Sequence, residues 1–207
     1  CVDQVFSLGD FVGGAAVDDL ETAVAGYCGV RQAVAVNSGT DALVLAMTAL
    51  DIGPGDEVIT PPNTFVASAA AIVRIGATPV FADVRDDQNI DPAAIEARVT
   101  PKTKAIMPVH LTGRVADMPA ITAIAERHGL SVVEDAAQSF GSHLGGRQSG
   151  TFGQFGCFSA HPLKNLNAAG DAGIVVTDDD EMAARIRRLR NHGLVDRDNV
   201  DEWGWVS

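Results

Sequence analysis

The feature that most constrains the fold of this chain is an alternation of short apolar runs with longer amphipathic stretches. Seven runs have the length of a strand, at residues 33–36, 57–60, 78–83, 105–108, 131–134, 157–159 and 173–177. Five stretches carry apolar residues at helical spacing, at residues 41–50, 65–75, 92–99, 119–128 and 180–190. Buried strands that alternate with amphipathic helices are typical of a parallel sheet covered on both sides. The sequence therefore predicts an α/β fold with a mostly parallel, seven-stranded sheet and helices on both faces.

The length and composition suit one domain. The chain has 207 residues, of which 46% are hydrophobic and 20% charged, as expected of a globular domain or of one lobe of a larger protein. No linker, repeat or low-complexity tract divides it. The sequence starts at Cys1 rather than at Met and stops on residues 203–207 without a polar tail. We therefore expect residues 1–207 to form a single domain of a longer chain.

The charge and the cysteines exclude several classes of function. Fifteen Lys and Arg against twenty-seven Asp and Glu give a net charge of −12, which repels nucleic acid and anionic membrane surfaces. No apolar run approaches the roughly 20 residues of a spanning helix, and no signal-peptide pattern opens the chain, so we expect a cytoplasmic protein. Cys1, Cys28 and Cys157 lack metal-type spacing, which predicts reduced thiols and no metal site.

The first polar motif, Asn-Ser-Gly-Thr at residues 37–40, follows a predicted strand and opens a predicted helix. Backbone N–H groups and the hydroxyls of Ser38 and Thr40 would converge on the positive end of the helix dipole, which favours an anion site. A plain N-cap followed by a glycine turn explains the same four residues. The spacing fits neither a dinucleotide-binding fingerprint nor a Walker A loop.

The second motif lies at the carboxyl end of the predicted strand 131–134, where open α/β sheets place their ligands. Asp135 could pair there with a buried cationic ring nitrogen, and Gln138 could hydrogen-bond a polar substituent of that ring. A helix cap with a solvated amide is the other interpretation. Position alone does not separate the two.

The third motif spans residues 159–165, Ser-Ala-His-Pro-Leu-Lys-Asn, and follows another predicted strand. It contains Lys164, one of only three lysines in the chain. A lysine in a partly desolvated cleft is a nucleophile that forms an imine with a carbonyl compound, although a lysine in a loop can equally be a solvated cation. His161 by itself indicates only a packing or surface histidine.

Together these motifs resemble the fold type I enzymes that use pyridoxal phosphate, and within them the sugar aminotransferases of the DegT/DnrJ/EryC1/StrS family. The resemblance extends along nearly the whole chain. It is carried by ordered blocks at residues 35–43, 62–65, 108–113, 134–138 and 189–193. The fold it implies is the large domain of these enzymes.

The resemblance implies a role for each matching position. Lys164 would hold pyridoxal 5'-phosphate covalently and carry protons between two carbons of the substrate. Asp135 would keep the pyridine nitrogen protonated, which makes the ring an electron sink. Gln138 would face the phenolic oxygen, and Phe65 would stack on the ring. The phosphate group would be held by Gly39, Thr40 and Ser159.

The resemblance also implies a reaction and a partner. Glutamate would give its amino group to the cofactor, and a nucleotide-diphosphate keto sugar, expected to be dTDP-linked, would receive it during deoxyamino sugar biosynthesis. Each site would be completed across the two-fold axis of a homodimer. Residues 110–112 resemble the tract of members that act at the 3-keto position. Two alternatives are a pyridoxal-phosphate-dependent sugar dehydratase, in which histidine would replace Lys164, and a non-catalytic sugar-nucleotide-binding or regulatory protein.

The sequence departs from the family pattern near its end. Members carry a smaller carboxy-terminal domain, which these 207 residues are not expected to include. They also carry a Gly-aromatic-Asn-Ser-Arg segment whose asparagine reaches the cofactor phosphate of the neighbouring subunit. The corresponding letters here are Gly-Trp-Val-Ser at residues 204–207, and Val206 has no amide to offer.

Overall fold

A seven-stranded sheet forms the centre of the molecule, which we describe from a computed structural model covering residues 2–9, 11–196, 198–204 and 207. The strands, in chain order, are β1 (Gln32–Val36), β2 (Glu57–Thr60), β3 (Thr78–Phe81), β4 (Thr103–Ile106), β5 (Ser131–Asp135), β6 (His143–Leu144), β7 (Arg147–Gln148), β8 (Phe155–Ser159) and β9 (Gly173–Thr177). Strands β6 and β7 form a separate hairpin, and the other seven lie in the order β1-β9-β8-β5-β4-β2-β3. Within this sheet β9 runs antiparallel to both neighbours and the remaining pairs are parallel. The predicted mostly parallel, seven-stranded sheet is confirmed.

The described part of the chain contains seven helices and one 3-10 turn. They are α1 (Val2–Leu8), α2 (Ala15–Cys28), α3 (Gly39–Ala49), α4 (Val66–Arg74), α5 (Pro92–Glu96), the 3-10 turn Leu111–Gly113, α6 (Met118–His128) and α7 (Asp180–Leu189). The five predicted helices are all present. The structure adds α1 and α2, which the sequence reading did not predict, because α1 buries none of its residues and α2 buries only a narrow face around Val24 and Cys28.

Helix starts follow ordinary capping chemistry. The Asp91 carboxylate accepts from the Ala93 N–H at 3.0 Å, and a proline follows at the first helical position of α5. Asp117 caps α6 in the same way. The predicted strand at 105–108 is displaced by two residues, because Thr103 already pairs with Glu57 of β2.

The sheet buries apolar side chains on both faces because successive residues of a strand point to opposite sides. In β5, Val133 packs into a core with α3, α4 and α7, whereas Val132 packs into the opposite core with α5 and α6. Phe158 of β8 belongs to a third cluster that seats α2 against the sheet. Helices therefore cover both faces, as predicted.

The strand directions place three chain segments at one edge of the sheet. Strands β1, β8 and β5 are mutually parallel, so the residues that follow or end them, Ser38, Ser159 and Asp135, lie at the same edge. Strand β9 starts at that edge with Gly173. A β-carbon on Gly173 would lie 2.1 Å from the Ser38 carbonyl oxygen, so only glycine fits there.

Candidate functional site

A cavity of about 270 Å³ opens at this edge of the sheet. It is lined by every residue that the sequence singled out for the site: Gly39, Thr40, Phe65, Asp135, Gln138, Ser159 and Lys164. The cavity therefore joins the amine of Lys164 and the carboxyl group of Asp135 in one space, although they are 29 positions apart in the sequence.

The start of α3 forms one end of the cavity. The Ser38 hydroxyl caps the helix by accepting from the Asp41 N–H at 3.0 Å. Gly39 approaches Ser159 so closely that a β-carbon on residue 39 would lie 2.6 Å from the Ser159 Cβ. The first backbone N–H groups of a helix have no partner within the helix and attract anions. The capping and anion-site interpretations are therefore compatible, because Ser38 caps while Gly39, Thr40 and Ser159 line the cavity.

Asp135 is the most buried polar residue that lines the cavity. Its side chain is only 5% exposed, its Oδ2 accepts from the Ser68 hydroxyl at 2.6 Å, and its Oδ1 accepts from the Ala137 N–H at 3.2 Å. Burial raises the pKa of the Asp135 carboxyl, and these two hydrogen bonds oppose that rise, as do the charges of His110 and Lys164 to a smaller extent. A carboxylate that is costly to bury in this way is stabilised by a cation placed in the cavity.

Gln138 is partly exposed and is held by a neighbouring turn. Its Oε1 accepts from the Thr112 N–H at 2.9 Å. Thr112 adopts a left-handed backbone conformation, with φ of 53°, inside the 3-10 turn. Because the amide oxygen is engaged, the NH₂ group of Gln138 remains as a donor beside the cavity that this residue lines.

Lys164 lies on the connection between β8 and β9, and its side chain is half-buried. Its backbone N–H donates to the His161 carbonyl at 2.8 Å, and the Leu163 N–H donates to the His161 Nδ1 at 3.2 Å. This turn directs residues 161, 163 and 164 toward the cavity, which Asp171 also lines. His161 and Asp171 are not among the predicted site residues.

Glu134 supports the site from behind. It is completely buried, and its Oε2 accepts from the His110 Nε2 and the Gly150 N–H, both at 2.8 Å. Its Oε1 accepts from the Phe152 and Gly153 N–H groups at 2.6 and 2.7 Å. Four donors thus satisfy one buried carboxylate and hold the segment before β8 against the end of β5.

The contacts of Ser68 and Thr112 were missed by the sequence reading. A signal for Ser68 was present, because it lies three residues after Phe65 and so shares a face of α4 with it. The hydrogen bond of Thr112 uses its backbone N–H, for which the sequence carries no signal.

The remaining expectations concern the chain end, metals and membranes. Val206 lies outside the described residues. Ser207 accepts from the Asn37 N–H at 3.2 Å and donates to the Asp41 carboxylate at 3.1 Å, so it lies beside the start of α3. Over the described ranges we find no cluster of three metal-ligating side chains. In the same ranges no helix has the length and apolarity needed to cross a bilayer.

Two curated aminotransferases are similar to this chain. The UDP-N-acetyl-3-dehydro-alpha-D-glucosamine 3-aminotransferase of Acidithiobacillus ferrooxidans is 54% identical over 189 residues, which are 91% of this chain and 51% of the relative. The dTDP-3-amino-3,4,6-trideoxy-alpha-D-glucose transaminase of Streptomyces venezuelae is 47% identical over 93% of this chain and 51% of the relative. A protein of Geobacillus stearothermophilus named a pleiotropic regulatory protein is 48% identical, over 93% of this chain and 52% of its own. The chain thus spans about half the length of the curated relatives it matches.

Solved structures share the fold. DesV of S. venezuelae, in complex with a ketimine intermediate, superposes with a TM-score of 0.96 at 45% identity, covering 99% of this chain and 55% of DesV. NtdA of Bacillus subtilis, with the cofactor PMP bound, superposes with a TM-score of 0.92 at 36% identity, covering 99% of this chain and 47% of NtdA. The profile of one family matches residues 1–205. The chain belongs to the DegT/DnrJ/EryC1/StrS aminotransferase family.

Proposed function

We propose that the protein transfers an amino group from glutamate to the keto carbon of a nucleotide-diphosphate sugar, with pyridoxal 5'-phosphate as cofactor. The observation that carries this proposal is the single cavity shared by the Lys164 amine and the buried Asp135 carboxyl group. The aminotransferases at 54% and 47% identity support the class of reaction.

The residues of the cavity fit the parts of pyridoxal phosphate. Gly39, Thr40 and Ser159 would bind the phosphate at the start of α3, where a β-carbon on Gly39 would fill the cradle. Asp135 would accept a hydrogen bond from the ring nitrogen. When bound, the cofactor supplies an electron sink for the negative charge that develops on the substrate carbon. The aromatic ring of Phe65 and the amide NH₂ of Gln138 would hold the ring plane and its phenolic oxygen.

The Lys164 amine is the group that would bind the cofactor and move the proton. An amine on a four-carbon side chain reaches more than one acceptor without movement of the backbone. The loop that carries it is anchored through the His161 carbonyl, so the side chain would swing while the turn stays in place. One amine would thereby serve both halves of the transfer.

The family resemblance implies a dTDP-linked sugar, and the two aminotransferase relatives are named for a UDP-linked and a dTDP-linked sugar. We propose the dTDP-linked 3-keto sugar as acceptor, with the UDP-linked one as its competitor in the assay. Comparison of kcat/KM for the two acceptors decides between them.

The expected assembly is a homodimer, and residues 1–207 are its cofactor-binding large domain in a longer chain. Phe65 supports a partner beside the cavity, because its ring is 66% exposed although it lines the wall. Sedimentation of the full-length protein tests this assembly, and a monomer at all concentrations would contradict it. The expected cytoplasmic location stays a prediction.

The decisive experiment combines colour and turnover in the full-length protein. We expect a yellow protein whose absorbance is bleached by borohydride and which releases 2-oxoglutarate when given glutamate and the keto sugar. Lys164→Ala removes both properties. Lys104→Ala, at an exposed lysine of β4, is the matched control and retains both. A colourless protein that binds no pyridoxal phosphate contradicts the proposal.

A regulatory role is the second candidate, because one relative at 48% identity is named a pleiotropic regulatory protein. It predicts that sugar nucleotide binds without release of 2-oxoglutarate from glutamate. A sugar dehydratase is disfavoured by Lys164 itself, because the dehydratases that resemble this family carry histidine at that position. His161 lies three residues earlier and does not replace the lysine.

A further inference from the structure

The buried Asp135 carboxyl group is held by a pair of hydroxyl groups that the proposed reaction does not use. The Ser68 hydroxyl lies 2.6 Å from the Asp135 Oδ2. The Thr64 hydroxyl lies 2.8 Å from the Ser68 hydroxyl. Ser68 has no exposed surface, whereas Thr64 lines the cavity. A polar chain therefore runs from the cavity wall into the interior and ends on the carboxylate.

The chemistry of the three groups fixes the direction of these hydrogen bonds. An ionised carboxylate only accepts, so the single proton of the Ser68 hydroxyl must point to Asp135. The Ser68 oxygen then has lone pairs to offer, and the Thr64 hydroxyl donates to it. Hydrogen bonds that end on a charged group are stronger than neutral ones, and chains of them reinforce one another.

The two oxygens of Asp135 are each held by one protein donor. Ser68 donates to Oδ2, and the Ala137 N–H donates to Oδ1 at 3.2 Å. Rotation of the carboxylate about its last bond would break both contacts. Each oxygen still keeps a lone pair that neither donor occupies.

The same stretch of chain supplies the ring-stacking position. Phe65 is the N-cap residue of α4, and Ser68 is in the first turn of that helix, where its N–H donates to the Phe65 carbonyl at 3.2 Å. The start of α4 thus carries both the residue that would stack on the ring, Phe65, and the residue that holds Asp135, Ser68.

On this geometry we propose that Ser68, itself held by Thr64, is a positioning residue that fixes the Asp135 carboxylate as the acceptor for the ring nitrogen of the cofactor. The inference rests on the proposed function, because it assigns Asp135 that partner. It assigns to the hydroxyl groups of Ser68 and Thr64 an effect on the cofactor that is exerted through Asp135.

The test uses full-length protein stripped of cofactor and titrated with pyridoxal phosphate. Ser68→Ala is expected to weaken cofactor binding about ten- to a hundredfold, the range for loss of a hydrogen bond to a charged group. Thr64→Val keeps the shape but removes the outer donor, and should weaken binding about threefold. Ser149→Ala is the matched control, because Ser149 is equally buried but donates to the Ser139 carbonyl at 2.6 Å; binding should stay within twofold.

A second readout separates positioning from a general loss of structure. Cofactor labelled with ¹⁵N at the ring nitrogen reports by NMR whether that nitrogen is protonated. In Ser68→Ala the nitrogen should lose its proton at a lower pH than in the parent protein. Ser68→Thr restores the hydroxyl and should return the resonance toward the parent value.

The possible results separate a failure of the positioning role of Ser68 from a failure of the proposed function. If the parent protein binds no pyridoxal phosphate, the proposed function fails. If the parent binds it and Ser68→Ala leaves both affinity and the ¹⁵N resonance unchanged, the function stands and the positioning role is wrong. An equal weakening in Ser149→Ala would also overturn the role, because the effect would then belong to any buried hydroxyl.

Discussion

The two sides of the cavity are built in opposite ways. The strand wall, residues 134–138, continues from the central strand β5 and carries Asp135. The loop wall, residues 160–172, connects β8 to β9 and carries Lys164. The proposed reaction needs one group that stays against the ring nitrogen and another that moves between two carbons. The fold places the first on buried strand and the second on a half-exposed loop, which matches these demands.

The strand wall is held by many contacts. Asp135 accepts from Ser68 and Ala137, and its backbone N–H donates to the Pro108 carbonyl at 2.9 Å. Its neighbour Glu134 accepts four hydrogen bonds. Removal of any one donor leaves a buried acceptor without its partner, which lowers the free energy of unfolding.

The loop wall is held mainly at its base. The Ala160 N–H donates to the Ala172 carbonyl, and the Ala168 N–H donates to the Ala160 carbonyl, both at 2.8 Å. Beyond this base Leu163 is 87% exposed. Substitutions in the loop wall should therefore change activity more than stability, and substitutions behind the strand wall should do the reverse.

The largest effect is expected for Lys164→Arg on the loop wall. Arginine keeps the positive charge but cannot act as an amine nucleophile, because its guanidinium does not lose a proton in proteins. Amino transfer should fall about a thousandfold or more, while the free energy of unfolding changes by less than about 0.5 kcal/mol. Turnover and urea unfolding of the same preparation measure both. A folded variant that retains a tenth of the activity would contradict the role of the amine.

The next effect is expected for Glu134→Ala behind the strand wall. The change leaves His110 and three backbone N–H groups without their acceptor and should lower the free energy of unfolding by about 3–5 kcal/mol. Urea unfolding measures this. Glu126→Ala, at an exposed position of α6, is the control and should cost less than about 0.5 kcal/mol. A cost below about 1 kcal/mol for Glu134→Ala would show that the strand wall is not held as described.

Asp135→Asn should raise stability in cofactor-free protein. Burial raises the pKa of the Asp135 carboxyl above its ordinary value near 3.8. At a pH between the pKa of Asp135 in the unfolded chain and its raised pKa in the folded protein, the folded protein binds more protons than the unfolded chain. The free energy of unfolding therefore falls as the pH rises through this range, and it stays lower at higher pH. The asparagine variant carries no such loss and should be more stable than the parent at pH 7, by on the order of 1 kcal/mol.

Thermal unfolding against pH checks this prediction, and the difference should shrink as the pH falls toward 4. Asp19→Asn, at an exposed position of α2, should show no such pH-dependent gain. A less stable Asp135→Asn variant at pH 7 would mean that the hydrogen bonds of the carboxylate outweigh the cost of burying it. The variant should also bind pyridoxal phosphate poorly, because its amide is not charged.

The smallest effect is expected for Leu163→Ala in the loop wall. An apolar side chain that is 87% exposed contributes little to folding, so the free energy of unfolding should change by less than about 0.5 kcal/mol. A loss above about 1 kcal/mol that depends on protein concentration would show that a second subunit covers Leu163. Unfolding at two protein concentrations separates these outcomes.

The alternation of apolar runs was sufficient to predict the sheet because each strand buries side chains on both faces. The direction of β9 was not predictable in this way, since it depends on residues 160–172 returning along the same edge instead of crossing the sheet. The three polar motifs predicted part of the cavity lining, because each follows a predicted strand and parallel strands end at the same edge of a sheet. Phe65 was expected only from the family resemblance. Ser68 was missed because its spacing from Phe65 places it on the same face of α4 but does not show its distant partner, Asp135.

The glycine that starts β9 limits how this cavity can be redesigned. Any side chain at position 173 would collide with the Ser38 carbonyl, and relief of that collision would move the first turn of α3. Directed evolution toward other acceptor sugars should therefore accumulate changes in the loop around Leu163 and leave the start of β9 unaltered. A mutational scan would show a segment that tolerates substitution except at Lys164 and that ends abruptly at the invariant Gly173.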